Sequence, residues 1–199
     1  NFTFHIKMPI FVARQWVRHR TARVNEISGR YSVMKDEFYV PDSRHINLQS
    51  EDNKQGRMDE AVDPALAKKV QEILAADQKR SYETYRQLLE MGLARELARI
   101  NLPLSMYTEW YWQMDLHNLF HFLKLRLDPH AQWEIRVYAE QILKIIRLVC
   151  PIAVEAFEQH KVGSATFSAS ELEALKDVLD GKENPLTGRA LQLFEEKLK

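Results

Sequence analysis

The sequence concentrates positive charge in one short segment, residues 14–31, which reads RQWVRHRTARVNEISGRY. This segment contains five arginines and one histidine but a single acid, Glu26. Arginine is well suited to phosphate, because its planar guanidinium donates two parallel hydrogen bonds and does not lose its proton at neutral pH. The segment therefore predicts a phosphate-binding surface.

The overall composition indicates which class of phosphate compound would bind there. The chain of 199 residues has 28 Lys and Arg against 28 Asp and Glu, so its net charge is zero. Proteins that bind nucleic acid polymers usually carry a basic excess, because each neutralised phosphate adds to the affinity. A neutral chain with one basic segment fits a small phosphorylated ligand better.

Glycine-rich phosphate loops are absent from the sequence. It has six glycines, and none is spaced as G-x-G-x-x-G or G-x-x-x-x-G-K-[ST], the patterns in which backbone amides surround a phosphate. Side chains must therefore supply the phosphate contacts.

Two histidines one helical turn apart, His117 and His121, are the candidate metal ligands. Residues at i and i+4 share a helix face, which is a common spacing for two zinc ligands. No third ligand lies nearby in the sequence, and the C-x-x-C and H-E-x-x-H patterns are absent. We therefore predict no metal site and interpret the pair as a polar helix face at a cleft or subunit boundary.

Arg126 is a candidate for a charge that faces inward. On a helical wheel it lies close to the apolar stripe of its helix, so its guanidinium should point inward or into a cleft. There it could contact a ligand, or it could form a buried ion pair with Asp128 or Glu134.

Arg95 and Arg99 present the same alternatives one turn apart. Their nearest acid in the sequence is Glu96. Exposed pairs of this kind usually belong to the solvated surface, and binding of a ligand is the other possibility.

Strands and helices must position these groups. Hydrophobic periodicity and turn residues in the first third of the chain predict a strand over 2–8, a helix over 10–19, a loop over 21–30, a strand ending at 38–40, and a mobile polar excursion over 42–62. A long amphipathic helix should then begin at Asp63-Pro64 and end before Gly92.

The remaining residues predict a short helix over 93–100, an aromatic strand over 106–114, helices over 116–127 and 131–149 with the latter continuing towards 160, a linker over 161–170, and amphipathic helices over 170–179 and 186–198. The fold class is α+β, a mixed or antiparallel sheet packed against long helices, with a helical C-terminal region. We expect a catalytic domain over residues 1–160 and a peripheral helical extension over 161–199.

The cysteine content indicates the compartment. Cys150 is the one cysteine, so an internal disulfide is excluded and a reducing compartment is favoured. Neither an apolar run of membrane-spanning length nor an apolar signal segment is present. We predict a cytoplasmic protein without a membrane partner, in which Cys150 is a buried packing residue rather than a nucleophile.

Residues 18–31, RHRTARVNEISGRY, resemble the signature of the flavin-dependent thymidylate synthases, R-H-R-x-x-S-x-N-E-x-S-x-R-Y. One position departs from the signature, because Arg23 stands where the family has Ser. The resemblance continues in FTFHIKMPIFVARQW, RELARINLP and LHNLFHFLKLRLDPHAQWEIR, so it covers residues 1 to about 160. Family members begin with a further helical segment that supplies a flavin-contacting His, and we expect that upstream portion to be missing here.

The resemblance implies an enzyme that makes dTMP from dUMP. Methylenetetrahydrofolate would donate the carbon, NADPH would be the reductant and FAD the redox carrier. It also implies a homotetramer whose active sites form between subunits, with no nucleic acid partner.

The resemblance further implies roles for individual residues. The FAD contacts would be Arg18, His19, Arg20, Glu26, Asp115, Leu116, His117 and His121. The dUMP contacts would be Gln15, Arg18, Glu26, Ser28, Gly29, Arg30, Arg99 and Arg126. Arg126 would be the catalytic residue, stabilising the uracil anion that forms when N3 loses its proton. Ser28 should hydrogen-bond rather than attack, since no base lies near it in the sequence.

A different reading of the residues is an RNA-binding module. The basic segment would grip the backbone, while Trp16, Trp110 and Trp112 would stack on bases. The neutral total charge argues against this module, as do aromatic residues in patterns typical of a core.

Overall fold

The computed structural model describes residues 1–51 and 56–198. The chain divides into two compact units, Asn1–Lys144 and Ile145–Lys199. Antiparallel sheets and helices occur together in the first unit, whereas the second unit is helical over its described residues. The predicted α+β class is therefore confirmed. The predicted division after residue 160 stays a prediction.

A three-stranded antiparallel sheet organises the first unit. Its central strand, β5 (Tyr107–Met114), pairs with β1 (Phe2–Pro9) on one edge and with β2 (Arg23–Glu26) on the other. Successive side chains of a strand point to opposite faces, so a sheet packed on one face buries every second residue. The buried residues of β5 follow this rule and are Thr108, Trp110, Trp112 and Met114.

Helices lie before, between and after these strands in the sequence. Up to residue 149 they are α1 (Ile10–Trp16), α2 (Pro64–Glu90), α3 (Arg95–Ala98), α4 (Leu116–Arg126) and α5 (Trp133–Val149). A 3₁₀ turn, Arg99–Asn101, extends α3.

Trp16 forms the centre of the core of the first unit. It is fully buried, and its ring stacks on Phe122 of α4 with centroids 4.8 Å apart. The edges of Trp112 and Trp110 of β5 approach it, with centroid distances of 5.3 Å and 5.8 Å. Stacked and edge-to-face rings are the favoured geometries for aromatic pairs. This aromatic cluster joins α1, β5 and α4.

Helix α2 begins and ends where its sequence predicts. The Asp63 carboxylate accepts hydrogen bonds from the first free backbone amides, and proline occupies the first helical position. Gly92 follows the end of the helix with a φ of 84°, a left-handed conformation that glycine adopts without strain.

The segment after β2 corrects one prediction. No strand ends at residues 38–40, and only an isolated bridge joins Phe38 to Met106. Two tyrosines of α2 bind this segment instead: Met34 N–H donates to the Tyr85 hydroxyl at 3.1 Å, and the Tyr82 hydroxyl donates to the Met34 carbonyl at 3.0 Å. Side-chain hydroxyls thus satisfy backbone groups that a strand would pair.

The polar excursion is also more ordered than its composition predicts. Residues Ser43–His45 form a 3₁₀ turn, and β3 (Asn47–Gln49) pairs with β4 (Arg57–Ala61) in a small antiparallel sheet. Arg57 anchors β4, because its guanidinium pairs with Glu134 of α5 at 3.1 Å. Residues 52–55 of the predicted excursion lie outside the described residues.

The second unit continues with α6 (Pro151–Phe157), α7 (Ala169–Leu179) and α8 (Gly188–Leu198). The predicted continuation of α5 through Pro151 is wrong, because Cys150 leaves the helical conformation with φ −138° and ψ 65°. Cys150 is half-buried rather than buried, and its thiol donates to the Ile146 carbonyl at 3.2 Å. None of the helices in the described ranges is both long and apolar enough to cross a membrane.

Replacing Tyr85 by Phe should destabilise the first unit. The change leaves the buried Met34 N–H without its acceptor, which costs about 1–3 kcal/mol. Denaturant unfolding followed by circular dichroism measures the loss. Tyr31→Phe is the control, because Tyr31 is 76% exposed. Equal midpoints for the two variants would contradict the role of the Tyr85 hydroxyl.

Candidate functional site

His19 and Arg126 are distant in the sequence but in contact in the structure. Arg126 Nε, at the end of α4, donates a hydrogen bond to His19 Nε2 at 3.0 Å. The pKa of His19 is lowered from 6.5 to about 4. Burial is the largest cause, followed by the charge of Arg126 and then by the nearby His121. The imidazole is therefore neutral at physiological pH, and its Nε2 accepts a hydrogen bond from the guanidinium, which keeps its proton.

The half-buried Arg126 has no acidic partner among the residues that the structure describes. Its two candidate partners are engaged elsewhere. Asp128 accepts hydrogen bonds from His130, and Glu134 pairs with Arg57. The alternative of a structural ion pair is therefore wrong for Arg126. A partly buried cation beside a neutral base is energetically unfavourable, and binding an anion from outside the chain would offset that cost.

The start of α4 holds the other predicted flavin residues of this helix. The Asp115 carboxylate caps the helix, accepting from the Asn118 backbone N–H at 2.9 Å and from its side chain at 2.6 Å. His117 and His121 are exposed, and the His121 ring centroid lies 6.5 Å from that of His19. Leu116 is partly buried. Across the described ranges, no group of three or more potential ligands is arranged to hold a metal.

The basic segment contains guanidinium groups without carboxylates. Arg18 and Arg20 are exposed, and neither forms an ion pair within residues 1–51 and 56–198. Arg23, the departure from the signature, donates to the side-chain oxygen of Gln113 at 3.4 Å. An excess of unpaired guanidinium beside a half-buried arginine suits a ligand with more than one phosphate.

Glu26 lies in a cleft of about 390 Å³ that opens beside the other half of the signature. The hydroxyl of the buried Thr108 donates a hydrogen bond to the Glu26 carboxylate at 2.6 Å, and this bond fixes the carboxylate in the cleft. Gly29 and Arg99 also line this cleft. Three of the predicted dUMP residues therefore share one cavity.

Gly29 lets Arg99 approach the backbone. A Cβ atom at position 29 would lie 3.2 Å from Arg99 Cδ and 3.1 Å from Met34 Sδ, closer than ordinary van der Waals contact. The φ of Gly29 is not left-handed, so the position needs a small residue rather than a flexible one.

Arg30 is the signature arginine with a protein partner. Its guanidinium pairs with Glu96 at 3.0 Å, and both side chains are about half exposed. Among the described residues, neither Arg95 nor Arg99 forms an ion pair with Glu96. The surface pair with Glu96 that the sequence suggested for these two arginines is therefore wrong. Arg95 instead donates to the backbone carbonyl of Tyr31 at 3.1 Å, holding the end of the signature. Ser28 accepts a hydrogen bond from the Arg30 N–H at 3.3 Å.

Gln15, the remaining predicted dUMP residue, is engaged by a residue that the sequence did not single out. Its Nε2 donates to Oε1 of Gln132, 117 positions away. Gln132 and Thr108 are the site residues that sequence reasoning missed. Thr108 had a signal, because a hydroxyl at a buried position of an aromatic strand needs a partner. Gln132 had none, since its contact depends on tertiary structure.

Comparisons with known proteins agree with this geometry. A family model described as thymidylate synthase complementing protein matches residues 1–152. A second model, described as the thymidylate synthase ThyX C-terminal domain, matches residues 165–199. A flavin-dependent thymidylate synthase of Treponema denticola is 60% identical over 198 residues. The chain belongs to the flavin-dependent thymidylate synthase family.

These matches cover nearly all of this chain but only part of each relative. The match to the T. denticola protein covers 100% of this chain and 74% of that protein. A flavin-dependent thymidylate synthase of Treponema pallidum is 52% identical, over 99% of this chain and 65% of its own length. The chain thus spans 74% of one of these relatives and just under two thirds of the other. The predicted family is confirmed, and the chain is part of an enzyme family.

Solved structures give the same fold. The crystal structure of PolB, a UMP/dUMP methylase from Streptomyces cacaoi bound with 5-Br dUMP, superposes with a TM-score of 0.73 and 32% identity. It covers 80% of this chain and 71% of that chain. The same protein bound with 5-Br UMP gives a TM-score of 0.76 and 34% identity, over 80% and 74% of the two chains.

His19 should titrate far below an ordinary histidine. We expect an NMR titration midpoint near pH 4 for its ring, and a rise towards 6.5 when Arg126→Met removes one positive neighbour. Because its pKa is lower in the folded state, the chain loses stability as pH falls from 6.5 towards 4, and keeps it above 6.5.

Arg80→Met, on the exposed face of α2, is the control for a general charge effect. It should leave the midpoint of His19 unchanged. A midpoint near 6.5 in the unaltered protein would show that His19 is neither buried nor close to Arg126.

Proposed function

We propose that this protein is an FAD-dependent thymidylate synthase that methylates dUMP reductively to dTMP. Methylenetetrahydrofolate donates the carbon and NADPH is the reductant. The observation that carries the proposal is Arg126, a half-buried cation that pairs with no carboxylate of the described residues and donates a hydrogen bond to a neutral histidine. The match to the family model and the dUMP analogue in PolB support the same substrate.

The unpaired guanidiniums support FAD as the cofactor. Arg18 and Arg20 offer donors to its phosphates, and His19, which lies between them in the sequence, is neutral. Glu26, Asp115, Leu116, His117 and His121 complete the proposed flavin contacts. When bound, FAD carries reducing equivalents from NADPH to the pyrimidine. These residues bind and orient it, and Asp115 in addition caps α4.

The dUMP contacts are proposed for the cleft and the arginines beside it. Arg99 and Arg30 would take phosphate oxygens, with Arg30 exchanging Glu96 for the ligand. Gly29 leaves room for that phosphate close to the backbone, and Ser28 and Gln15 add hydrogen bonds. Glu26 is fixed by Thr108 and would accept from a ribose hydroxyl rather than transfer a proton.

Arg126 is proposed as the catalytic residue. The pyrimidine becomes more nucleophilic at its reacting carbon when N3 loses its proton, and the resulting anion needs a fixed cation. Burial lowers the pKa of Arg126. The guanidinium nevertheless keeps its charge, because its ordinary pKa lies far above neutrality. The hydrogen bond to His19 orients the guanidinium before the substrate binds, so little reorganisation is needed as charge develops.

A homotetramer with active sites between subunits is the proposed assembly. Within one chain, no hydrogen bond or ion pair of the described residues joins the Arg126 and His19 pair to the cleft of Glu26, Gly29 and Arg99. The assembly is proposed from the resemblance to the family, whose members form active sites between subunits. The cytoplasmic location stays a prediction.

Arg126→Ala should abolish most of the dUMP-dependent reoxidation of reduced flavin while FAD stays bound. Removing a preorganised charge that acts on the transition state costs about 100- to 1,000-fold in rate. Stopped-flow absorbance measures reoxidation, and the flavin spectrum measures occupancy. Arg80→Ala is the control. Unchanged reoxidation would remove the catalytic role, and loss of FAD would assign Arg126 to the cofactor instead.

The complete reaction should form dTMP from labelled dUMP only when every co-substrate is present. We expect product to disappear when FAD, NADPH or methylenetetrahydrofolate is omitted in turn, because each supplies an atom or electrons that the chain lacks. Chromatography of the labelled nucleotides gives the result. Undiminished dTMP without the folate or without NADPH would contradict the assigned donor or reductant.

A further inference from the structure

We propose that Glu96 is a specificity-determining residue whose carboxylate restricts the cleft beside the signature to a nucleoside monophosphate. The inference rests on the proposed function, because it takes Arg30 and Arg99 as the residues that bind the phosphate of dUMP. Glu96 acts by repelling nucleoside diphosphates and triphosphates rather than by attracting the substrate.

Glu96 is next to both arginines proposed for the phosphate. Its Oε2 accepts a hydrogen bond from Nε of Arg30 at 3.1 Å and lies 3.0 Å from Nη2 of the same guanidinium. Arg99 follows Glu96 by one helical turn, where α3 passes into its 3₁₀ extension, so the two side chains share one side of this segment. Both line the cleft of about 390 Å³. A phosphate bound by the two guanidiniums would therefore lie beside a carboxylate.

The backbone around Glu96 keeps this carboxylate near the cleft. On one side of it, Arg95 donates to the Tyr31 carbonyl at 3.1 Å. On the other side, Ala98 is buried and the stem of Arg99 packs closely against Gly29. The segment is thus fixed to the signature both before and after Glu96. A ligand can draw Arg30 away from Glu96, but the negative charge stays beside the cleft.

The charges around the cleft are already balanced without a ligand. Among the described residues, the charged side chains that line it are Glu26, Glu96 and Arg99. Arg30 adds a second guanidinium through its pair with Glu96. Two carboxylates are thus matched by two guanidiniums. Arg126 is assigned to the uracil, at the other end of the nucleotide, so it does not add positive charge at the phosphate.

A single phosphate group suits this balance better than two or three. A phosphate monoester carries a charge of about −1.5 to −2 at pH 7, and each additional phosphate group adds further negative charge. In the unaltered protein that added charge meets the carboxylate of Glu96, and repulsion between like charges lowers the affinity. The cleft therefore selects against the longer phosphate chains.

The pair of Glu96 with Arg30 opens at little cost. Its side chains are 51% and 56% exposed, and exposed pairs of this kind contribute little to stability. Competition between Glu96 and a phosphate for Arg30 is therefore weak. Repulsion is the larger effect, and it grows with the number of phosphate groups in the ligand.

The test uses the FAD-loaded protein and measures the Kd of dUMP, dUDP and dUTP by calorimetry. Glu96→Gln keeps the shape of the side chain and removes its charge. It should tighten dUMP by less than about threefold and dUTP by about tenfold, with dUDP between them. Glu72→Gln is the matched control and should change none of the three constants, because Glu72 belongs to an exposed pair with Lys68 and does not line the cleft.

The ratio of the constants separates a charge effect from a structural one. A merely structural role of Glu96 would shift the Kd of all three nucleotides by the same factor, and that result would overturn the assignment. Since salt screens exposed charges, the gain of Glu96→Gln for dUTP should shrink at about 1 M salt. A gain of undiminished size at high salt would also count against repulsion by the carboxylate.

Failure of this inference can be told from failure of the proposed function. If the unaltered protein binds no dUMP, the proposed function fails. If it binds dUMP and Glu96→Gln leaves the ratio of the dUTP and dUMP constants unchanged, the specificity role alone fails. Thermal unfolding followed by circular dichroism accompanies each assay, and Glu96→Gln should unfold as the unaltered protein does, because this side chain is half exposed.

Discussion

The pairing of β5 with strands on both of its edges is the interaction on which the rest of the first unit depends. β1 leads directly into α1, and β2 follows α1 after a short turn, so the connection through α1 starts at one edge of β5 and ends at the other. Trp16 then packs over the same strand and against α4. As a result, the position of the end of α1 relative to α4 is determined by a sheet and a packed core rather than by a loop.

This framework holds positive charge where the chain does not neutralise it. Most ion pairs among the described residues join exposed side chains, and such surface pairs contribute little to stability. Arg126 differs, because it is half-buried and its neighbour His19 is kept neutral by burial. Burial of a cation without a carboxylate lowers stability, and a bound anion would offset that cost. Arg126 is thus a group whose burial favours the binding of an anion.

The elements that depend on local sequence could be predicted, and those that depend on tertiary partners could not. Asp63-Pro64 and Gly92 carry their own capping chemistry, so both ends of α2 followed from the sequence. The absence of a strand at residues 38–40 did not, because the hydroxyls of Tyr82 and Tyr85 that bind Met34 lie about 50 positions later. A helical wheel indicated that Arg126 faces inward but could not choose its partner.

The site shows the same division. The signature and its arginines were recognisable from residue types, whereas Thr108 beneath Glu26 and Gln132 beside Gln15 depend on contacts across 82 and 117 positions. Such supporting residues have no periodic or compositional signal of their own. Their importance comes from the group they orient, and that becomes visible only when the backbone brings the two together.

The close approach of Gly29 and Arg99 has a consequence for how this sequence can change over evolutionary time. A methyl group at the first position displaces the aliphatic stem of the second, so the effect of either substitution depends on the residue at the other. A side chain added at position 29 while Arg99 is retained requires Arg99 and Met34 to shift by a few tenths of an ångström, whereas a shorter residue at position 99 removes one of these two contacts first. The order of the two substitutions therefore matters, a form of epistasis imposed by a contact of little more than 3 Å.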